Sequence, residues 1–160
     1  MFKLIAVGTD NSPRAHAALE YAAGLAESCG AGLCVIVVHK LYPQIYHVPY
    51  GVEVLSGGSR ESDAVTADAH RDLLAPVANR LRQRGIDVEV RVVSGDPASG
   101  LLRVAEEVGA DLLVVGDRAV RGVFGGVAAA AVRKAAMPVL VARTGDVSRS
   151  RSQPGLATNS

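Results

Sequence analysis

The stretch from Asp111 to Arg143, DLLVVGDRAVRGVFGGVAAAAVRKAAMPVLVAR, constrains this chain more than any other. It reads as strand, glycine-rich loop, helix, strand. The run Leu112-Leu113-Val114-Val115 is apolar without alternation, as a strand covered on both faces must be. Gly116 ends it. The loop that follows holds Gly122, Gly125 and Gly126, with Arg118 and Arg121 among them. Val127 to Ala136 is alanine-rich, and alanine loses no side-chain entropy in a helix. Pro138 stops that helix, and Val139-Leu140-Val141 makes a second buried strand. A glycine loop that feeds a helix leaves N–H groups pointing outward, with the positive end of the helix dipole behind them. That arrangement holds a phosphate. The plainer reading is a tight structural turn.

The rest of the chain repeats the same alternation. Lys3 to Thr9 is a first strand, and Ser12-Pro13 supplies a cap and a first helical residue. Ala15, Ala18, Leu19, Ala22, Leu25 and Ala26 recur at helical spacing, so the spacing predicts a helix over Arg14 to Cys29, stopped by Gly30. Leu33 to His39 is a second apolar strand. Lys40 to Arg60, with Tyr42, Tyr46, Tyr50, Pro43 and Pro49, reads as an irregular connection, either a surface flap or a lid over the strand ends. Glu61 to Arg84 is mostly helical, with Leu73, Leu74, Val77 and Leu81 as its buried stripe and Pro76 as a kink or a late start. Val88 to Val92 alternates, which suits an edge strand. Asp96-Pro97 opens a helix through Val108, and Gly109 stops it.

Five strands separated by four helices must run parallel, with right-handed crossovers. The expected fold is α/β: one open parallel five-stranded sheet of Rossmann-like type with helices on both faces. Ligands of such sheets sit outside the carboxyl ends of the strands. Asp10 ends the first strand and Gly116 the fourth, so both face one crevice if those strands are neighbours.

Length and charge narrow the function. The 160 residues suit one domain, taken as 1–143, followed by a tail, 144–160, read as disordered for its lack of periodicity. A net charge of +1 gives no field for nucleic acid or an anionic membrane. No apolar run approaches the roughly 20 residues that span a bilayer. Cys29 and Cys34 lack metal-ligand spacing and read as reduced thiols of a cytoplasmic protein. His16, His39, His47 and His70 show no metal pattern, so no metal is expected. Gly-x-Ser-x-Gly, the Walker loop and Gly-x-Gly-x-x-Gly after the first strand are all absent, and no catalytic residue is assigned.

Three segments carry a family resemblance: VGTDNSP at the end of the first strand, VVSGDPASGLLRVAEEVGADLLVVGDR, and GGVAAAAVRKAAMPVLVAR. Together they resemble the universal stress protein (UspA) family over about residues 2 to 143. The resemblance implies strand order 3-2-1-4-5 and a role in stress survival. It also implies a homodimer paired through the last strand, Val139, Leu140, Val141 and Ala142. One branch of the family binds ATP, with an aspartate at the nucleoside and the loop pattern G-x-x-G-x9-G-(S/T). Here Asp10 matches the aspartate, Gly116 the first glycine, Arg118 a frequent loop arginine and Gly125 the last glycine. Ala119 replaces the second glycine, and Gly126 stands where the hydroxyl residue would be. Gly116 to Gly125 spans nine positions, four fewer than that pattern, and Gly122 lies between them. Lys40 falls where ATP-binding members place an apolar residue against the adenine.

The implied protein is a small regulator that binds an adenine nucleotide, ATP or AMP, through Asp10, Gly116, Arg118, Gly122, Gly125 and Gly126. It acts through a regulatory protein partner, and any ATP hydrolysis is slow and incidental. The alternative is a dimeric interaction module of the same fold that binds no nucleotide.

Overall fold

Strand β1 (Leu4–Gly8) lies at the centre of the sheet, because its neighbours come from opposite ends of the chain. The computed structural model describes residues 1–10, 12–40, 44–48, 51–55, 60–117 and 126–143. Helix α1 (Pro13–Cys29) follows, then β2 (Gly32–His39), β3 (Gln44–Val48), β4 (Gly51–Leu55) and α2 (Arg60–Gln83). Strand β5 (Val88–Ser94), α3 (Pro97–Glu107), β6 (Leu112–Gly116), α4 (Val127–Lys134) and β7 (Val139–Ala142) complete the order.

Five strands form a parallel sheet of order β5-β2-β1-β6-β7, which is 3-2-1-4-5 when its strands are counted along the chain. Ile5 pairs with Leu33 on one side and Leu112 on the other. The sheet is apolar on both faces because both are covered. Ile5, Val7, Leu33, Val35 and Val37 pack with Ala18, Leu19 and Ala22 of α1 and Leu74, Ala78 and Leu81 of α2. Ala6, Cys34, Ile36, Leu113 and Val115 pack with Leu101, Val104 and Ala105 of α3 and Ala128 and Ala131 of α4. Burial of Cys34 pushes its thiol up to about 11, so it is a core filler rather than a nucleophile.

The alternating segment is an edge, as the pattern requires: Glu89 and Arg91 of β5 are exposed and paired with each other. Two expectations fail, and one alternative of a third is excluded. The connection after Lys40 is not wholly irregular, since β3 and β4 form a separate antiparallel pair with Gln44 opposite Leu55 and Val48 opposite Gly51. Leu73 does not join the buried stripe of α2. It is 59% exposed, whereas Leu74 is 2% exposed. One residue is about 100° around a helix, enough to move a side chain off the core face. The helix also shows no late start at Pro76, because it runs unbroken from Arg60 to Gln83. The expected tail, 144–160, lies outside the described residues.

Three carboxylates anchor the scaffold. Asp111 Oδ2 accepts from Lys3 N at 2.6 Å and Leu4 N at 3.0 Å, which ties the start of β1 to the start of β6. Asp96 Oδ2 accepts from Ser99 N at 2.9 Å and caps α3. Glu27 bonds the Arg84 guanidinium at 2.8 Å, joining α1 to the end of α2. These bonds hold all three carboxyls below their ordinary range: backbone N–H groups for Asp111, the Ser99 backbone for Asp96, and the Arg84 hydrogen bond for Glu27. A folded value below the unfolded one stabilises the protein above the ordinary carboxylate range, near pH 4, and that contribution is lost as pH falls through the folded values. The expected melting temperature therefore falls as pH drops below about pH 4. Melting curves across that range check it, and a protein equally stable at about pH 3 would refute it.

Candidate functional site

Parallel strands place all their carboxyl ends at one side of the sheet, and the helix N-termini that follow them gather there too. A cavity of about 420 Å³ opens at this side, between the ends of β1, β2 and β6 and the first turns of α3 and α4. Thr9 and Asp10 enter it from β1, and Gly116 from β6. Strands β1 and β6 are indeed neighbours, with Val7 opposite Val114, so Asp10 and Gly116 share the crevice. Gly126 and Val127 close it from the start of α4. The floor is apolar: Ile36 and Val38 of β2, Leu101 of α3 and Val115 of β6.

Two glycines bring that floor together. A Cβ on Gly100 would meet Val38 Cγ1 at 2.9 Å, and one on Gly8 would meet Leu101 Cδ2 at 2.9 Å. Helix α3 thus lies directly against the sheet where the cavity begins. Neither position carries a local signal in the sequence, since each glycine answers a residue about 60 or 90 positions away.

Three helix N-termini meet this side, and they are finished differently. Ser12 Oγ accepts from Ala15 N at 3.2 Å and caps α1, and Asp96 caps α3. Helix α4 has Gly126 at its N-cap and no side-chain cap hydrogen bond. The first N–H groups of a helix carry positive partial charge, so the glycine-capped end is the one that suits an anion supplied by a ligand. Asp10, two residues past the end of β1, lines the same cavity, its Oδ1 accepting from Ser12 N at 3.0 Å. An ionised carboxylate only accepts hydrogen bonds and has sites for several, so it suits hydroxyl donors such as those of a sugar.

Of the residues singled out in the sequence, Asp10, Gly116 and Gly126 come together in this cavity. Arg118, Gly122 and Gly125, with Ala119 and Arg121, lie outside the described residues. Lys40 also lines the cavity, next to Val38. The other face of β2 carries His39, whose ring stacks on His70 of α2 with centroids 5.7 Å apart. His70 Nδ1 bonds the Thr66 carbonyl at 2.8 Å, so this pair braces α2 rather than serving the cavity. Among the described residues, no three His, Cys, Asp or Glu side chains group as a metal site would need. Among them also, no helix is long and apolar enough to cross a membrane.

An open parallel sheet whose strand order switches between β1 and β6, with a crevice at the switch, defines the doubly wound α/β class of protein. Residues 1–143 match the universal stress protein family, and the chain belongs to it. A universal stress protein of Mycobacterium tuberculosis is 32% identical over 149 residues, covering 89% of this chain and 97% of that one. Among solved structures, a universal stress protein in complex with cAMP superposes with a TM-score of 0.68 at 25% identity, covering 88% of this chain and 97% of that one. A universal stress protein from Archaeoglobus fulgidus in complex with dAMP gives a TM-score of 0.60 at 27% identity, covering 87% and 96%.

Proposed function

We propose that the chain is a cytoplasmic stress-response regulator that works by binding a small nucleotide in the cavity, not by catalysis. The phosphate would lie at the start of α4, the sugar at Asp10 and the base over Ile36 and Val38. The observation that carries this reading is the convergence of Asp10, Gly116 and the glycine-capped α4 on one apolar-floored cavity. Relatives of this fold that hold cAMP and dAMP support it. The shortened loop favours a monophosphate or cyclic monophosphate over ATP, because less backbone is left to wall a triphosphate chain. No residue is assigned as a catalytic base, so any hydrolysis of ATP would be incidental.

A second reading, an interaction module without a nucleotide, is favoured by the sheet edge. Among the described residues strand β7 has a neighbouring strand on one side only, and Val139, Leu140 and Val141 are partly exposed and uncharged. An unpaired apolar edge is a template for another strand. We assign a homodimer through β7 to both readings, with nucleotide binding altering how a regulatory partner meets the dimer.

Calorimetric titration with ATP, AMP and cyclic AMP separates the two readings. Saturable binding at micromolar concentrations, tightest for the monophosphates, is expected. Asp10→Ala should weaken it about tenfold or more, the worth of a hydrogen bond to a charged group. A folded protein that takes up none of the three leaves the interaction module.

A further inference from the structure

Lys40 is the one cation among the described residues that line the cavity, and Asp10 the one carboxylate. Among the described residues Lys40 takes part in no ion pair. It extends the row of Ile36 and Val38, alternate residues of β2, one residue past the end of the strand, and all three border the cavity. Strand β1, with Asp10, lies between β2 and β6. At the usual spacing of adjacent strands, the β2 row is about 10 Å from the β6 row that leads to α4. A phosphate held at α4 and a sugar at Asp10 therefore carry the base away from the anion end, across Val38, and bring its outer edge to Lys40.

The chemistry of that edge then matters. A lysine ammonium has three donors and no acceptor. Adenine presents an amino donor at its six-position, which would leave donor facing donor. A six-oxo purine presents two acceptors on one edge, O6 and N7, the pair that lysine or arginine reads in DNA, whereas adenine is read by an amide. From this juxtaposition we infer that Lys40 is the base-selecting residue of the cavity and favours six-oxo purine nucleotides, of guanine or hypoxanthine type, over adenine nucleotides. The inference rests on the nucleotide reading above and concerns only the base.

The test is calorimetry of the full chain with GMP, IMP and AMP, for the parent, Lys40→Met and Lys40→Gln. Methionine keeps the apolar stem and removes the donors, and Lys40 is exposed, so the fold is unaffected; a melting curve for each variant checks that. The parent should bind GMP and IMP about tenfold more tightly than AMP. Lys40→Met should bring the three to near equality, and Lys40→Gln should turn the preference to AMP. A parent that prefers AMP would overturn base selection by Lys40. So would a Lys40→Met variant that weakens all three ligands equally, since the lysine would then serve the phosphate. In both cases the nucleotide reading stands. Absence of binding by all three removes both.

Discussion

Leu113→Ala will lower the midpoint of thermal unfolding by about 10 °C. Leu113 is fully buried on β6, opposite Ala6 of β1 and Val139 of β7. Its side chain belongs to the cluster beneath α3 and α4, where Ala6, Ala128 and Ala131 are neighbours in the same core. A leucine truncated at such a site loses its transfer energy and leaves a cavity that the surroundings fill only in part. Ala6 on the hydrogen-bonded sheet and Ala128 and Ala131 on α4 have no flexible side chains to swing into the gap. The cost therefore falls toward the upper part of the usual range, about 4 kcal/mol. For a domain of this size each kcal/mol moves the midpoint by roughly 2–4 °C. Leu73→Ala is the matched control. Leu73 is mostly exposed on α2, so the same chemical change there should alter stability by no more than about 0.5 kcal/mol. Equal shifts for the two variants would show that the α3/α4 layer is not closely packed on β6.

Gly126→Asp and Gly126→Ser should split fold from function. Gly126 has φ −65° and ψ −175°, an extended conformation open to any residue. Aspartate and serine are both good N-caps, and each should stabilise α4 by a few tenths of a kcal/mol relative to glycine. Their effects on an anionic ligand are opposite. Serine adds a donor and should tighten nucleotide binding about fivefold, the worth of roughly 1 kcal/mol. Aspartate sets a negative charge beside the phosphate. Two like charges about 4 Å apart near a protein surface repel by as much as roughly 4 kcal/mol, so a loss of about a hundredfold is expected. The aspartate variant would thus melt no lower than the parent yet bind almost nothing. If both variants bound as the parent does, the phosphate would not lie at α4.

The frame of this protein was legible because its signals are local or follow from chain order. Unbroken apolar runs at 33–38 and 112–115 mark covered strands, and Ser12-Pro13 and Asp96-Pro97 mark helix starts, with Pro13 and Pro97 as first residues. The order of strands came from family resemblance and is the one observed. The β3–β4 pair was missed because Pro43 and Pro49 bracket its first strand, and proline, which cannot donate to a ladder, argues against one. Leu73 was misplaced because adjacent leucines at 73 and 74 fit two registers of one stripe, and only packing on the sheet chooses between them. In the site, Asp10 and Gly116 were legible as strand ends. The walls were not: Leu101 meets the cavity only because Gly8 and Gly100 let α3 descend onto the sheet, a condition written at distant positions.

The tie between Asp111 and the start of β1 spans 108 residues. During synthesis, β1 can find β2 early, but its other side stays bare until β6 has left the ribosome. At roughly 5–20 residues per second, that is a wait of about 5–20 s. Throughout it, the edge of β1 offers unpaired N–H and C=O groups flanked by apolar side chains, the exposure that drives strands of different chains together. Pairings so far apart in sequence also fold slowly once the chain is complete. The nascent N-terminal half is therefore the stage at which the edge of β1 lies most open to other chains, and the closing of β6 onto β1 is the step that ends that exposure.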